Sequence, residues 1–242
     1  MSKSIDKITT MFSLQKSLND QTNGQGWEKG VAKNGKSINW NRCSILELSE
    51  LIESLPYKHW KNINATGDYE NVKIETVDTW HFLMSEVLST KSEPISKEAL
   101  DGLIERLAGS ESFSKAVSSE NFTHSDTEAE IQKVEKLMLA LMTNSAPIEL
   151  LELFMDIVPQ SELNIDKLYS LYIGKNILNT HRQENGYASG EYIKTWGEVE
   201  DNVVMQKILD ENPDITPGQL KITLQNEYDT IVENQNPAPV AP

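Results

Sequence analysis

The chain has 242 residues, with 37 Asp and Glu against 22 Lys and Arg and a formal net charge of −15. That balance excludes the basic footprint which non-specific nucleic-acid binding needs, and it leaves any anionic substrate to be met by metal and a local basic cluster. The single cysteine, Cys43, excludes a disulfide framework and a cysteine zinc site, and no stretch approaches the ~20 apolar residues of a membrane span.

The start, Met1-Ser2-Lys3-Ser4-Ile5-Asp6, carries no apolar signal run, so a soluble, cytoplasmic chain is expected. Ile8, Met11, Phe12, Leu14 and Leu18 fall at helical spacings and predict a helix over Ile5–Leu18. Gln15 and Asn19 share a face near its end. Each amide has donor and acceptor and could read a nucleobase edge, or could simply be solvated. Thr22 to Gly26 is a turn-rich loop, and Gly26 to Trp40 a loop or hairpin.

Asn41 is expected to cap a helix through Leu55, stopped by Pro56, with Ile45, Leu48, Ile52 and Leu55 as its core stripe. A second helix, Asn71 to Ser89, places Ile74, Val77, His81, Met84 and Leu88 on one face. Each helix carries an acidic pair beside its apolar strip, Glu47-x-x-Glu50 and Glu75-x-x-Asp78, and Tyr57-Lys58-His59-Trp60-Lys61 links them. Residues three apart on a helix lie roughly 5–6 Å apart at Cβ, so each pair can aim two carboxylates at one spot. Four half-buried carboxylates would repel one another unless cations sat among them, and Mg²⁺ suits oxygen ligands. With 37 acids such spacings also arise by chance, and Glu149-x-x-Glu152 reads as a solvated face.

A helix is predicted at Ile95–Leu107, followed by a Ser-rich, mobile connection over Gly109–Ser125 in which Phe113, Val117 and Phe122 argue against complete disorder. Further helices are predicted at Asp126–Thr143, Pro147–Ile157, Leu163–Gln183, Asp201–Asp210 and Thr216–Val232. Within Leu163–Gln183, Lys175, Asn179 and Arg182 share one face, and a turn with Gly186, Tyr187 and Gly190 leads on to Lys194. Such a cluster can hold phosphates, or it can make routine ion pairs with the many acids. Strand-like alternation is scarce, so the fold is expected to be all-α: a multi-helix bundle with a carboxylate-lined core. There is no Walker A loop, no G-x-G-x-x-G and no internal repeat. His59, His81, His124 and His181 are scattered without zinc spacing, and His81 is expected to be packed.

Taken in order, these segments resemble the dimeric dUTPase family, which belongs with the MazG-like proteins among the all-α nucleoside triphosphate pyrophosphatases. The matching residues are Leu14-Gln15-x-x-Leu18-Asn19 with Thr22-Asn23-Gly24, Glu47-x-x-Glu50, His59-Trp60-Lys61, Glu75-x-x-Asp78 with Trp80-His81-Phe82, and Lys175-x-x-x-Asn179-x-x-Arg182 through Gly186-Tyr187 to Lys194. The resemblance implies hydrolysis of dUTP to dUMP and pyrophosphate and of dUDP to dUMP and phosphate. It implies two or three Mg²⁺ ions held by Glu47, Glu50, Glu75 and Asp78, and a homodimer with no nucleic-acid or membrane partner. It places uracil against Gln15, Asn19, Trp60 and the backbone at Phe82. Phosphates would meet Lys175, Arg182, Tyr187 and Lys194, and Asn179 the sugar or phosphate region. One catalytic domain is expected over 1–234, rigid at about 1–90 and 160–234 and mobile at about 91–159, with a disordered tail at 235–242. Glu47 is the expected proton acceptor for the attacking water. Two alternatives stay open: a MazG-like or dCTP-type hydrolase, and a non-enzymatic helical interaction protein.

Overall fold

The computed structural model describes residues 2–61, 64–89 and 94–235. Its elements in order are α1 (Ser2–Asn23), α2 (Trp40–Ser54), α3 (Tyr69–Leu88), α4 (Lys97–Ala108), α5 (Glu111–Ser118), α6 (Thr127–Met142), α7 (Pro147–Ile157), α8 (Ile165–Glu184), the ribbon β1 (Thr195–Trp196) and β2 (Val199–Glu200), α9 (Asp201–Glu211) and α10 (Pro217–Gln235). The fold is all-α. The antiparallel ribbon, Thr195 opposite Glu200, is the only sheet among the described residues. The expected tail lies outside them, apart from Gln235 at the end of α10.

Two compact units divide the chain, residues 1–169 and 170–242. In the first, α3 is the central helix, buried on most of its circumference and packed along α2, with α1 and α7 also against it. The apolar residues of α3 recur on several faces, as an interior helix requires, and Val77, Trp80, Leu83 and Met84 have no exposed surface. Trp80 stacks on Phe154 of α7 at 4.8 Å and meets Phe12 of α1 edge-on at 5.8 Å. Those contacts pin α1 and α7 against the helix that carries the second acidic pair.

Caps explain where the helices begin. The Asn39 side chain accepts from the Arg42 amide at 2.8 Å, so Asn39 caps α2. Asn41, the expected cap, instead sits inside the helix and donates to the Leu141 carbonyl of α6 at 3.1 Å. Either asparagine satisfies the local rule, and tertiary packing chose between them. Along α2 the buried residues are Trp40, Ser44, Leu48 and Leu51, with Leu55 following, while Ile45 and Ile52 are only half-buried. Residues 109–125 hold a helix where a mobile connection was expected. Ser110 caps α5 by accepting from the Phe113 amide at 3.1 Å, and Phe113 and Ala116 are buried. Of the serines that suggested mobility, Ser110 is the cap, Ser112 is buried, and Ser114 and Ser118 lie on the outer face of a short amphipathic helix.

The second unit is built from the C-terminal part of α8, the ribbon, α9 and α10 around Leu178, Trp196, Met205, Ile208, Leu220, Leu224 and Tyr228. His181 lies inside that core with no exposed surface, its ring flanked by those of Tyr192, Trp196 and Tyr228 at 5.9, 5.9 and 5.2 Å. Burial pulls its pKa below the ordinary value, so it is a neutral packing residue.

Candidate functional site

Packing of α2 along α3 brings Glu47, Glu75 and Asp78 together, with ligand oxygens all within 4.8 Å of one another. Glu75 is buried and the other two are half-buried. Glu50 lies one turn along α2 and is exposed. Its charge still acts on Glu75. Burial first, then the Asp78 charge, then a hydrogen bond with Glu47 and the charges of Glu47 and Glu50 push the Glu75 carboxyl up from 4.5 to about 8. Three acids crowded this way retain a proton unless a cation replaces it. The donor set is all oxygen, on rigid helices, and suits a hard divalent ion such as Mg²⁺. The residues present therefore fit the metal.

Close by in the chain is a buried polar network linking α1 to α3. Gln15 and Asn19 are only 3% and 4% exposed, so their amides must be satisfied internally. The Ser85 hydroxyl accepts from Gln15 Nε2 at 3.0 Å and from Asn19 Nδ2 at 2.9 Å, and donates to the His81 carbonyl at 2.8 Å. Gln15 Oε1 lies 2.7 Å from His81 Nδ1, which assigns the ring proton to Nδ1. His81 is thus packed, as its place on the apolar strip predicts. The two amides are locked together, with Asn19 Oδ1 accepting from Gln15 Nε2 at 3.3 Å. Next to His81, the half-buried Phe82 stacks on Trp40 at 6.0 Å, and Trp40 meets Trp27 edge-on at 5.7 Å. Trp60 is 62% exposed, with its ring against His59 and Tyr57 of the same link.

In the second unit the predicted basic face of α8 is intact. Lys175 and Arg182 are both buried. Arg182 forks onto Asp201, donating from Nε and Nη2 at 2.8 and 2.7 Å, and also donates to Asn179 Oδ1 at 3.1 Å. Lys175 Nζ donates to Asn202 Oδ1 at 2.8 Å. Asp201 has no exposed surface and also accepts from the Tyr192 hydroxyl at 2.8 Å. Tyr187 lies 5.9 Å from the Arg182 guanidinium carbon, on a tight turn between Gly186 and Gly190, whose φ values of 86° and 80° suit glycine. Lys194 pairs with Glu200 across the ribbon at 2.9 Å.

Ser85, Trp40, Asp201 and Asn202 were not singled out as site residues, although each holds or abuts a predicted one. Asp201 ends the spacing Glu198-x-x-Asp201, but nothing in a single sequence marks it as fully buried.

Fold and carboxylate cluster together define a class: a helical protein with an oxygen-ligand centre suited to divalent cations. A protein-family model described as dUTPase matches residues 7–187, most of the chain, and the chain belongs to that family. The match takes in the acidic pairs, Gln15, Asn19, Trp60, Phe82 and the Lys175–Tyr187 stretch, and ends before Lys194. No curated protein matches the chain. The family supports an activity of the dUTP diphosphatase type on a nucleotide substrate. No helix among the described residues is long and apolar enough to cross a membrane.

Proposed function

We propose that this protein is a Mg²⁺-dependent dUTP diphosphatase that hydrolyses dUTP to dUMP and pyrophosphate, and dUDP to dUMP and phosphate, keeping uracil out of DNA. The observation that carries the reading is the crowded Glu47–Glu75–Asp78 cluster inside the span matched to the dUTPase family. Glu47, Glu75 and Asp78, with Glu50 on their exposed flank, would hold two or three ions. Mg²⁺ bound there supplies charge neutralisation and acidifies water.

Water adds across the bond between the α- and β-phosphates, one phosphate taking the hydroxyl and the other the bridging oxygen. Glu47 accepts the proton that this water loses. Gln15, Asn19, Trp60 and the backbone at Phe82 hold the uracil. For Gln15 and Asn19, whose amides are tied to Ser85, this role means positioning the base pocket or re-pairing when the base arrives. Lys175, Arg182, Tyr187 and Lys194 offset the phosphate charge, with Asn179 at the sugar or phosphate region. Asp201 keeps the Arg182 fork in one orientation, which lowers the entropy lost on gripping an anion. The active form is a homodimer, to be checked by sedimentation equilibrium. Closure of about 91–159 over nucleotide would register as slowed hydrogen exchange there.

Turnover of dUTP and dUDP, compared with that of the four common dNTPs in Mg²⁺, tests the reading. Hydrolysis of dCTP or dTTP as fast as dUTP would sink it in favour of a MazG-like or dCTP-type hydrolase. A purely structural role for the acids predicts no heat when Mg²⁺ and a non-hydrolysable dUTP analogue are added. Glu47→Gln should lower turnover by about 10²-fold or more with helicity unchanged, and full activity would remove Glu47 from the role.

A further inference from the structure

A cavity opens in the first unit among α5, α6 and α7, lined by none of the residues of the carboxylate cluster. Its volume is about 510 Å³, within the ~300–1,000 Å³ usual for small-molecule sites. Three lysines line it, Lys115 from α5 and Lys133 and Lys136 from α6, against one carboxylate, Asp156 of α7. In a chain with a net charge of −15, a concavity with three cations to one anion runs against the background. Lys133 and Lys136, three apart, share a helix face. Neither makes an ion pair among the described residues, although Lys133 is half-buried. Lys115 pairs with exposed Glu111 at 2.8 Å, a contact worth little in water and easily exchanged, and also feels the charge of Asp156. The lining also includes Asn121 and the half-buried ring of Phe122, the latter edge-on against His124 at 5.0 Å.

Three cations, an aromatic ring and an amide lining one cavity are the chemical complement of a phosphate joined to a flat heterocycle. We propose that this cavity binds a nucleoside phosphate, with Lys133, Lys136 and Lys115 on the phosphates, Phe122 stacked on the base and Asn121 at its edge. The site is separate from the carboxylate centre, and the inference does not rest on the dUTPase reading. No bond is made or broken there, and its role is binding.

The test is calorimetry on the full chain in EDTA, which silences any metal-dependent site, with dUMP, uridine and pyrophosphate as probes. Saturable binding of dUMP, weakened about tenfold in Lys133→Gln/Lys136→Gln and unchanged in Lys97→Gln on α4, is expected. Phe122→Ala should weaken dUMP but leave pyrophosphate unaffected, and uridine should bind less well than dUMP. Circular dichroism on each variant confirms that it is folded. Absence of saturable dUMP binding, or full binding in the double lysine variant, overturns the site. Equal loss of dUMP and pyrophosphate in Phe122→Ala overturns the assignment of a nucleotide rather than a simple anion.

Discussion

At Glu75, burial and like charge both oppose ionisation, and this has a measurable sign. Its pKa in the folded protein is raised from 4.5 to about 8. Between those values the folded chain holds a proton that the unfolded chain releases. The stabilisation is therefore complete below about pH 4.5 and is lost as pH rises through 8. Thermal unfolding in EDTA should show a melting temperature that falls from pH 5 to 8 more steeply in the wild type than in Glu75→Gln. Equal slopes would refute the shift. The same proton reports metal entry. Adding Mg²⁺ at pH 7 should release about one proton per site, and much less at pH 9, as read by calorimetry in buffers of different ionisation heat.

For the elements, the decisive joints are α1 to α3 and α8 to α9. Ser85→Ala removes the one hydroxyl that accepts from both the Gln15 and Asn19 amides. Two buried donors then lose a partner, at a cost of about 1–3 kcal/mol. Denaturant unfolding should show the loss, and Ser85→Thr should recover part of it. Asp201→Ala leaves the buried Arg182 guanidinium without its carboxylate, a change that costs about 3–5 kcal/mol. Proteolysis should then cut preferentially within the second unit, whose core includes Trp196 and Tyr228. Wild-type protection there would show that the pair adds nothing to stability.

For the whole molecule, a chain carrying −15 brings three carboxylates, Glu47, Glu75 and Asp78, together at one place. A cation bound there stabilises the folded state by mass action, about 2.7 kcal/mol at a hundredfold excess over Kd. The rise in melting temperature with Mg²⁺ should be larger at pH 8 than at pH 6, because the Glu75 proton competes with the metal. Asp78→Asn should blunt it. A Mg²⁺ effect independent of pH would place the ion elsewhere.

The helical periodicity, the two acidic pairs and the order of the segments were legible in the residues themselves, because they depend on spacing of 3.6 and on side-chain chemistry. They were enough for an all-α fold and for pointing to Glu47, Glu75 and Asp78, the carboxylates that the structure brings together. What depends on packing was not legible. Helix α3 is interior on nearly every face, so Glu75 is buried while Glu50, with the same local pattern, is exposed. Asn39 rather than Asn41 became the cap because α6 took the other amide. Arg182 belongs to Asp201, 19 residues away, through a contact made only when α8 meets α9. Local spacing sets which groups share a helix face. Burial, and with it charge state and hydrogen-bond partner, is set by the neighbouring helices, and only the tertiary structure decides those.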